Sequence, residues 1–257
     1  MQATKLKVAD IELELLDIGK GTPLFFLHGG GGFDPSQPFV PRLSETHRLI
    51  APSHPGFGGS SLPDWLDSVD DIAHIYLELL DKLGIEQADF VGCSIGGWIA
   101  AEMATKAPQR IRRLVMVSPV GVKLGPSDKL DIPDIFAMPQ ADVQKLMHHD
   151  PAKMASDPSK MTDDQLSVMF RNRETLALLV WEPWMHNPKL RRRLHRVTAP
   201  ALFIRGESDG LVSKDYLEGY AGLLPNARTT TITAAGHVPQ LEQPEAFASA
   251  VLGFIGA

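Results

Sequence analysis

The pentapeptide Gly-Cys-Ser-Ile-Gly at residues 92–96 constrains this chain more than any other segment. It follows an apolar run at residues 88–91 and precedes a helical run at residues 97–104, a pattern typical of a sharp turn between a strand and a helix. Such a turn brings the residues two before and two after the serine close together, and glycine fits at both places. The sequence therefore predicts that Ser94 stands exposed at the N-terminus of a helix, where a nucleophile would be placed.

A serine hydroxyl is a weak nucleophile at neutral pH, so it needs a base and an acid that orients the base. His237 is the strongest candidate for the base, because it follows the last predicted strand, residues 229–233, and precedes the last helix. Asp209 follows the strand at residues 201–204 and is the candidate for the acid, with Glu207 as a competitor. The chain order serine, aspartate, histidine, each after a strand, favours this role over that of an ordinary turn former for Asp209.

A glycine-rich turn at residues 28–32 follows the apolar strand predicted at residues 23–27. Attack on a carbonyl group needs two N–H donors that point at the same oxygen. The N–H of Ile95 is one candidate, and the N–H of Gly30 is the other, with Gly31 as the alternative. No Gly-Lys-Ser or Gly-Lys-Thr sequence ends the glycine run, so a phosphate-binding loop is not indicated.

Predicted strands alternate with predicted helices along most of the chain, which is typical of an α/β fold with a mostly parallel sheet and helices on both faces. Residues 123–196 interrupt this alternation, because they contain no convincing buried strand and are rich in helix formers and methionine. We therefore divide the chain into a core, residues 1–122 and 197–257, and an inserted helical cap, residues 123–196. Methionine adapts to irregular shapes, so the cap is expected to cover an apolar pocket above the strand ends. The residues expected to line this pocket are Gly31, Trp181, Trp184 and Val238.

The composition excludes several classes of protein. A net charge of −6 argues against a nucleic-acid partner, and the basic run at residues 191–193 fits a solvated helix face better than a binding patch. Cys93 is the only cysteine, so no internal disulfide can form, and a structural role suits it better than a reactive one. No histidine pair has a metal-binding spacing with a third ligand, so we assign no metal. The N-terminus lacks a signal pattern and no apolar run reaches the ~20 residues that span a bilayer, so we expect a cytoplasmic protein without a membrane partner.

Together these motifs resemble the α/β-hydrolase fold family. The resemblance rests on the turn at residues 28–32, the Pro-Gly-Phe-Gly-Gly-Ser turn at residues 55–60, the serine turn, and the loops that carry Asp209 and His237. It implies an eight-stranded, mostly parallel sheet and a Ser94–His237–Asp209 triad that works without a cofactor. A serine nucleophile counts against the branches that use a carboxylate, namely the epoxide hydrolases and haloalkane dehalogenases.

The resemblance leaves several reactions open, because one fold carries many functions. The first hypothesis is a carboxylic-ester hydrolase that acts on small to medium hydrophobic substrates through an acyl-enzyme. The second is a cofactor-free hydrolase of carbon–carbon bonds in aromatic ring-fission products. Relatives of that type often carry Arg after the acid and Trp after the histidine, where this chain has Gly210 and Val238. Enol-lactone hydrolysis and perhydrolase activity rank lower, and a non-catalytic ligand-binding protein is a third class. Each hypothesis implies a small-molecule partner, and the cap surface leaves a homodimer open.

Overall fold

Residues 3–155 and 157–256 are described by the computed structural model, and they form one eight-stranded sheet flanked by helices. The strands are β1 (Thr4–Val8), β2 (Ile11–Ile18), β3 (Thr22–Leu27), β4 (His47–Pro52), β5 (Ala88–Cys93), β6 (Ile111–Val117), β7 (Ala201–Gly206) and β8 (Ala227–Ile232). Their order across the sheet is β1-β2-β4-β3-β5-β6-β7-β8. β2 pairs antiparallel with β1 and β4, whereas all pairs from β4 to β8 are parallel. The predicted fold class is therefore confirmed.

The helices cover both faces of this sheet. They are α1 (Phe39–Ser44), α2 (Val69–Lys82), α3 (Ile95–Lys106), α4 (Gln140–Met147), α5 (Pro151–Met154), α6 (Asp163–Val180), α7 (Lys214–Ala221), α8 (Pro239–Glu242) and α9 (Pro244–Ile255). One apolar core contains the buried side chains of α2, α3 and α7, and a second contains those of α1 and α9. The sheet lies between the two cores.

β3 shows why a short, fully apolar run forms a central strand. Phe25 belongs to the core under α2 and α3 and stacks on Phe90 of β5, with ring centroids 5.1 Å apart. Phe26, the next residue, belongs to the other core and contacts Phe39 of α1, with ring centroids 4.8 Å apart. Successive side chains of a strand point to opposite faces, so a strand covered on both faces must be apolar throughout.

α2 begins and ends at the residues that its sequence indicates. The hydroxyl of Ser68 accepts a hydrogen bond from the backbone N–H of Asp71, which caps the first turn. Asp70 and Asp71 also place negative charge at the positive end of the helix dipole. Gly84 follows the helix with φ +64°, a left-handed conformation that glycine adopts without strain.

The chain between β6 and β7 forms the cap. In the described part of residues 123–196, α4, α5, α6 and short 3₁₀ turns are present and no strand is assigned. α6 begins with a capping box, in which the side chain of Thr162 accepts from the N–H of Gln165 and Gln165 accepts from the N–H of Thr162. We retain residues 123 and 196 as the proposed limits of the cap.

The sheet order places a crevice between β3 and β5. The chain leaves β3 for β4 on one side and returns to β5 on the other side. In open α/β sheets, ligands bind beyond the carboxyl ends of the strands at such a reversal. The glycine-rich turn follows β3 and Ser94 follows β5, so both lie at this crevice.

Candidate active site

Ser94 lies in the turn between β5 and α3 with φ 54° and ψ −115°, a conformation that residues other than glycine rarely adopt. Backbone packing explains the glycines on either side of it. A Cβ atom on Gly92 would lie 2.4 Å from the carbonyl oxygen of Gly96, and a Cβ atom on Gly96 would lie 2.1 Å from that of Leu27. Glycine therefore allows the turn to pack directly on the end of β3.

Asp209 and His237 are in direct contact. The Nδ1 atom of His237 lies 3.1 Å from Oδ2 and 3.2 Å from Oδ1 of Asp209, and both side chains are buried. Oδ1 of Asp209 also accepts hydrogen bonds from the backbone N–H groups of Leu211 and Val212, each at 2.9 Å. These bonds orient the carboxylate toward the imidazole.

The carboxylate of Asp209 determines which nitrogen of the His237 ring carries the proton. Burial by itself raises the pKa of Asp209, but the electrostatic attraction of the imidazole of His237 and hydrogen bonds from His237 and Val212 outweigh it and hold the pKa below its ordinary value. Asp209 is therefore ionised at neutral pH and holds the proton of His237 on Nδ1. The Nε2 atom is then the one free to accept a proton.

Glu207, the competing acid, is placed elsewhere. Its side chain is exposed, and Oε2 accepts from the backbone N–H of Ala234 at 3.4 Å. The structure brings Asp209, and not Glu207, to His237.

The loops after β7 and β8 are held together by close backbone packing. A Cβ atom on Gly206 would lie 2.0 Å from the carbonyl oxygen of Gly236. The backbone N–H of His237 donates to the carbonyl oxygen of Met147 in the cap at 2.6 Å. His237 and Ser94 both line one cavity between the core and the cap, and His237 contacts Asp209; a triad of the three residues stays a proposal.

The glycine-rich turn lies beside Ser94. The N–H of Gly32 donates to the carbonyl oxygen of Gly29 at 3.1 Å, which leaves Gly30 and Gly31 at the centre of the turn. A Cβ atom on Gly29 would lie only 3.5 Å from the Cβ atom of Ser94. Ile95 is the first residue of α3, so its N–H has no acceptor within the helix. Our assignment of Gly30 and Ile95 to an oxyanion hole stays a proposal.

His28 braces this turn from below. Its Nδ1 donates to the carbonyl oxygen of Gly29 at 2.7 Å, and its Nε2 accepts from the N–H of His54 at 2.9 Å. His54 in turn donates from Nε2 to the carbonyl oxygen of His28 and accepts from the hydroxyl of Tyr76. Burial lowers the pKa of His28 to about 4 and the pKa of His54 well below its ordinary value. Both rings are therefore neutral structural groups rather than bases.

A cavity of about 1100 Å³ lies between the core and the cap. Ser94, His237 and the glycine-rich turn form its floor, and residues of α4 and α6 form its roof. Gly31 and Val238 line it, as the sequence predicts. The cavity is large enough for a small organic molecule.

The prediction for the two tryptophans is wrong. Trp181 follows α6, is 59% exposed and lines a surface groove with Asp67 and Ser68. Trp184 packs between Trp181 and Phe136, and its Nε1 donates to the carbonyl oxygen of Ile132 at 2.9 Å. Neither tryptophan is among the residues that line the cavity, although Met185, directly after Trp184, is one of them.

Several polar side chains of the cavity wall were not identified from the sequence. Gln144 and His148 lie one helical turn apart at the end of α4, and Gln240 follows His237 on α8. Each carries a buried polar atom that has no hydrogen-bond partner among the described residues. Arg173 on α6 is the only lysine or arginine of the described chain that lines the cavity. The sequence predicts that the cap is helical, but it does not show which face of each cap helix points into the cavity.

Cys93, directly before Ser94, is buried at the end of β5. Burial raises the pKa of its thiol, so the sulfur stays protonated at neutral pH. A buried, protonated thiol is a poor nucleophile.

A comparison with family models assigns the chain to a family. The model described as "Alpha/beta hydrolase family" matches residues 24–250, which include the serine turn and both loops of the Asp209–His237 pair. The chain belongs to the alpha/beta hydrolase family, as the motifs in the sequence indicate.

Individual relatives are similar along nearly the whole chain. The chain is 29% identical to a 2-hydroxymuconate semialdehyde hydrolase of Pseudomonas putida, over 98% of this chain and 93% of that protein. It is 32% identical to a 2-hydroxy-6-oxononadienedioate/2-hydroxy-6-oxononatrienedioate hydrolase of Paraburkholderia phymatum, over 82% of this chain and 77% of that protein. A solved structure of the meta-cleavage product hydrolase from Pseudomonas fluorescens IP01 has the same fold, with a TM-score of 0.78, 22% identity and coverage of 98% and 97% of the two chains.

Every helix among the described residues is too short or too polar to span a lipid bilayer. No group of three or more histidine, cysteine, aspartate or glutamate side chains is arranged to hold a metal ion in that part of the chain.

The packing of the serine turn predicts opposite effects for two glycine-to-alanine substitutions. Gly96→Ala should lower the free energy of unfolding by about 1–3 kcal/mol, because its Cβ meets the carbonyl oxygens of Leu27 and His28. Gly253→Ala, in α9 where no atom lies within 4 Å of the added carbon, should raise it by about 0.5–1 kcal/mol. Urea unfolding followed by circular dichroism measures both. Equal stability of the two variants would contradict this description of the turn.

Proposed function

We propose that this protein is a serine hydrolase that cleaves a carbon–carbon bond next to the 6-oxo group of a 2-hydroxy-6-oxo-dienoate. From the sequence alone this activity ranks second, behind ester hydrolysis. The observation that reverses the order is the full-length similarity to enzymes named as hydrolases of such compounds. The compounds in these names each carry a hydroxyl or oxo group and a carboxylate on a short unsaturated chain.

The cavity supports a substrate of this kind. The guanidinium of Arg173 lies over the ring of Phe136, with 4.8 Å from Cζ to the ring centroid, and it has no acidic partner among the described residues. A cation without a partner at the wall of a cavity is suited to bind a carboxylate. The unpartnered atoms of Gln144, His148 and Gln240 add uncharged groups that a hydroxyl or oxo group of the ligand could bind.

The geometry suggests a sequence of steps. His237 takes the proton of Ser94 as the serine oxygen attacks the carbonyl carbon, and the N–H groups of Gly30 and Ile95 hold the resulting oxyanion. Before this attack the dienol takes its keto form, in which the proton of the 2-hydroxyl group moves to C5. When the bond between C5 and C6 then breaks, its electron pair delocalises through the enone onto the 2-oxo oxygen, and His237 returns the proton to the resulting dienolate. Water, deprotonated by His237, hydrolyses the acyl-enzyme and releases a carboxylic acid. Asp209 stabilises the imidazolium throughout.

Ester hydrolysis is the second candidate. The same serine, base and N–H donors serve an ester carbonyl without change. Gly210 and Val238 also stand where carbon–carbon hydrolases often carry arginine and tryptophan. A comparison of substrates therefore decides between the two activities.

Wild-type protein should hydrolyse 2-hydroxy-6-oxo-2,4-heptadienoate with a higher kcat/KM than 4-nitrophenyl butyrate, both followed by absorbance. Ser94→Ala should lower kcat by about 10⁴–10⁶-fold on either substrate, because the nucleophile is lost. Ser127→Ala, at an exposed loop serine, should leave both rates unchanged. A higher kcat/KM for the ester would refute the carbon–carbon assignment, and a fully active Ser94→Ala variant would refute both candidates.

Arg173→Gln should raise KM for the dienoate by about 10-fold or more, because a charge-assisted contact to the carboxylate is lost. The KM for the neutral ester should change little. Arg192→Gln, which alters an exposed arginine outside the cavity, is the matched control. Steady-state kinetics on both substrates tests this, and an equal effect of Arg173→Gln on the two substrates would show that no carboxylate binds there.

A further inference from the structure

Asn172 joins the cap to two backbone turns of the core. Its side chain, on α6, is 5% exposed. Nδ2 donates to the carbonyl oxygen of Gly31 at 3.0 Å, and Oδ1 accepts from the backbone N–H of Gly58, also at 3.0 Å. A buried amide bonded at both ends is fixed in position and orientation.

The bond to Gly31 falls on the turn that contains the proposed oxyanion donor. Gly32 N–H closes the turn by donating to the carbonyl oxygen of Gly29. The peptide group between Gly31 and Gly32 is thereby held at its N–H by Gly29 and at its carbonyl by Asn172. Glycine residues have no side chains to restrict them, so a turn of four glycines needs such external bonds to keep one conformation.

The neighbours of Asn172 on α6 bind the helix to the turn at residues 55–60, which contains Gly58. Thr175 Oγ1 donates to the carbonyl oxygen of Gly56 at 2.9 Å, and Arg171 donates to the carbonyl oxygens of Gly58 and Ser60. Leu176 covers Gly30, since a Cβ atom there would lie 2.5 Å from Leu176 Cδ2. Among these α6 side chains, Asn172 is the one that makes a hydrogen bond to the glycine-rich turn.

We propose that Asn172 is a positioning residue that fixes the turn at residues 29–32, so that the N–H of Gly30 points at the same place as the N–H of Ile95. The inference rests on the proposed function, because it assumes that these donors stabilise an oxyanion. It adds that the cap does more than cover the cavity: the docking of α6 sets the geometry of the donors. Chemistry and cap position are therefore coupled through one side chain.

Two substitutions of Asn172 distinguish the hydrogen bond to Gly31 from the hydrogen bond to Gly58. Asn172→Leu removes both bonds at similar volume, and Asn172→Asp keeps the acceptor for Gly58 but loses the donor to Gly31. Each should lower kcat by about 10–100-fold and change KM for the neutral ester by less than about 3-fold, since a misplaced donor affects the transition state and not the binding of an uncharged substrate. Inhibition by a trifluoromethyl ketone, whose adduct with Ser94 carries an oxyanion, should weaken by the same factor as kcat/KM.

Thr175→Val is the matched control. It removes a hydrogen bond between the same helix and the core, but it does not touch the glycine-rich turn and does not line the cavity. It should lower the melting temperature about as much as Asn172→Asp and leave kcat and ketone inhibition unchanged. If Asn172 only stabilised the fold, all three variants would have a lower melting temperature and the same kcat and ketone inhibition as one another.

The outcomes distinguish this inference from the proposed function, because all variants are assayed on both the dienoate and 4-nitrophenyl butyrate. Turnover of the ester alone would overturn the proposed substrate and still test Asn172, since an ester also forms an oxyanion. Unchanged kcat in Asn172→Asp, or an equal loss of kcat in Thr175→Val, would overturn the positioning role. Wild-type protein that acts on neither substrate and does not bind the ketone would overturn both.

Discussion

Backbone packing between the turn after β5 and the end of β3 is the contact on which the site depends. Gly96 lies so close to the carbonyl oxygens of Leu27 and His28 that no side chain fits between them. This contact sets Ser94 beside the glycine-rich turn and keeps its backbone at φ 54°. Strain at one residue is tolerated because the surrounding packing admits no alternative.

The loops that carry Asp209 and His237 are also held together by a glycine packed on a backbone carbonyl. Gly206 packs on the carbonyl oxygen of Gly236, which brings the loop of Asp209 to the loop of His237. Adjacent parallel strands end at one edge of a sheet, so short loops without bulky side chains are enough to join distant parts of the sequence. The protein thus positions polar side chains through contacts in which those side chains take no part.

The charge of Asp209 is stabilised by its neighbours, whereas the nearby histidine rings of the glycine-rich turn are uncharged. Asp209 stays ionised because His237 and two backbone N–H groups stabilise it. The nearby rings of His28 and His54 are neutral, because burial lowers their pKa values. Neutral rings can brace the glycine-rich turn without competing with His237 for the carboxylate.

Features with a local signature could be predicted from the sequence, and features set by tertiary packing could not. The strand–turn–helix around Ser94 is specified by neighbouring glycines, and the sheet follows from the alternation of elements. Trp181 was misplaced because its position in the sequence does not reveal that its side chain faces solvent at the end of α6. Asn172 was missed because its two partners are more than 100 residues away in sequence, in turns that meet α6 only after folding.

Activation of Ser94 by the His237–Asp209 pair is the step on which the proposed function rests. Treatment with a fluorophosphonate, followed by intact-mass measurement and peptide mapping, tests it most directly. We expect one label per chain, located on Ser94, and a labelling rate that falls by about 10³–10⁴-fold in Asp209→Asn. No label, a label on another residue, or an unchanged rate in Asp209→Asn would contradict it.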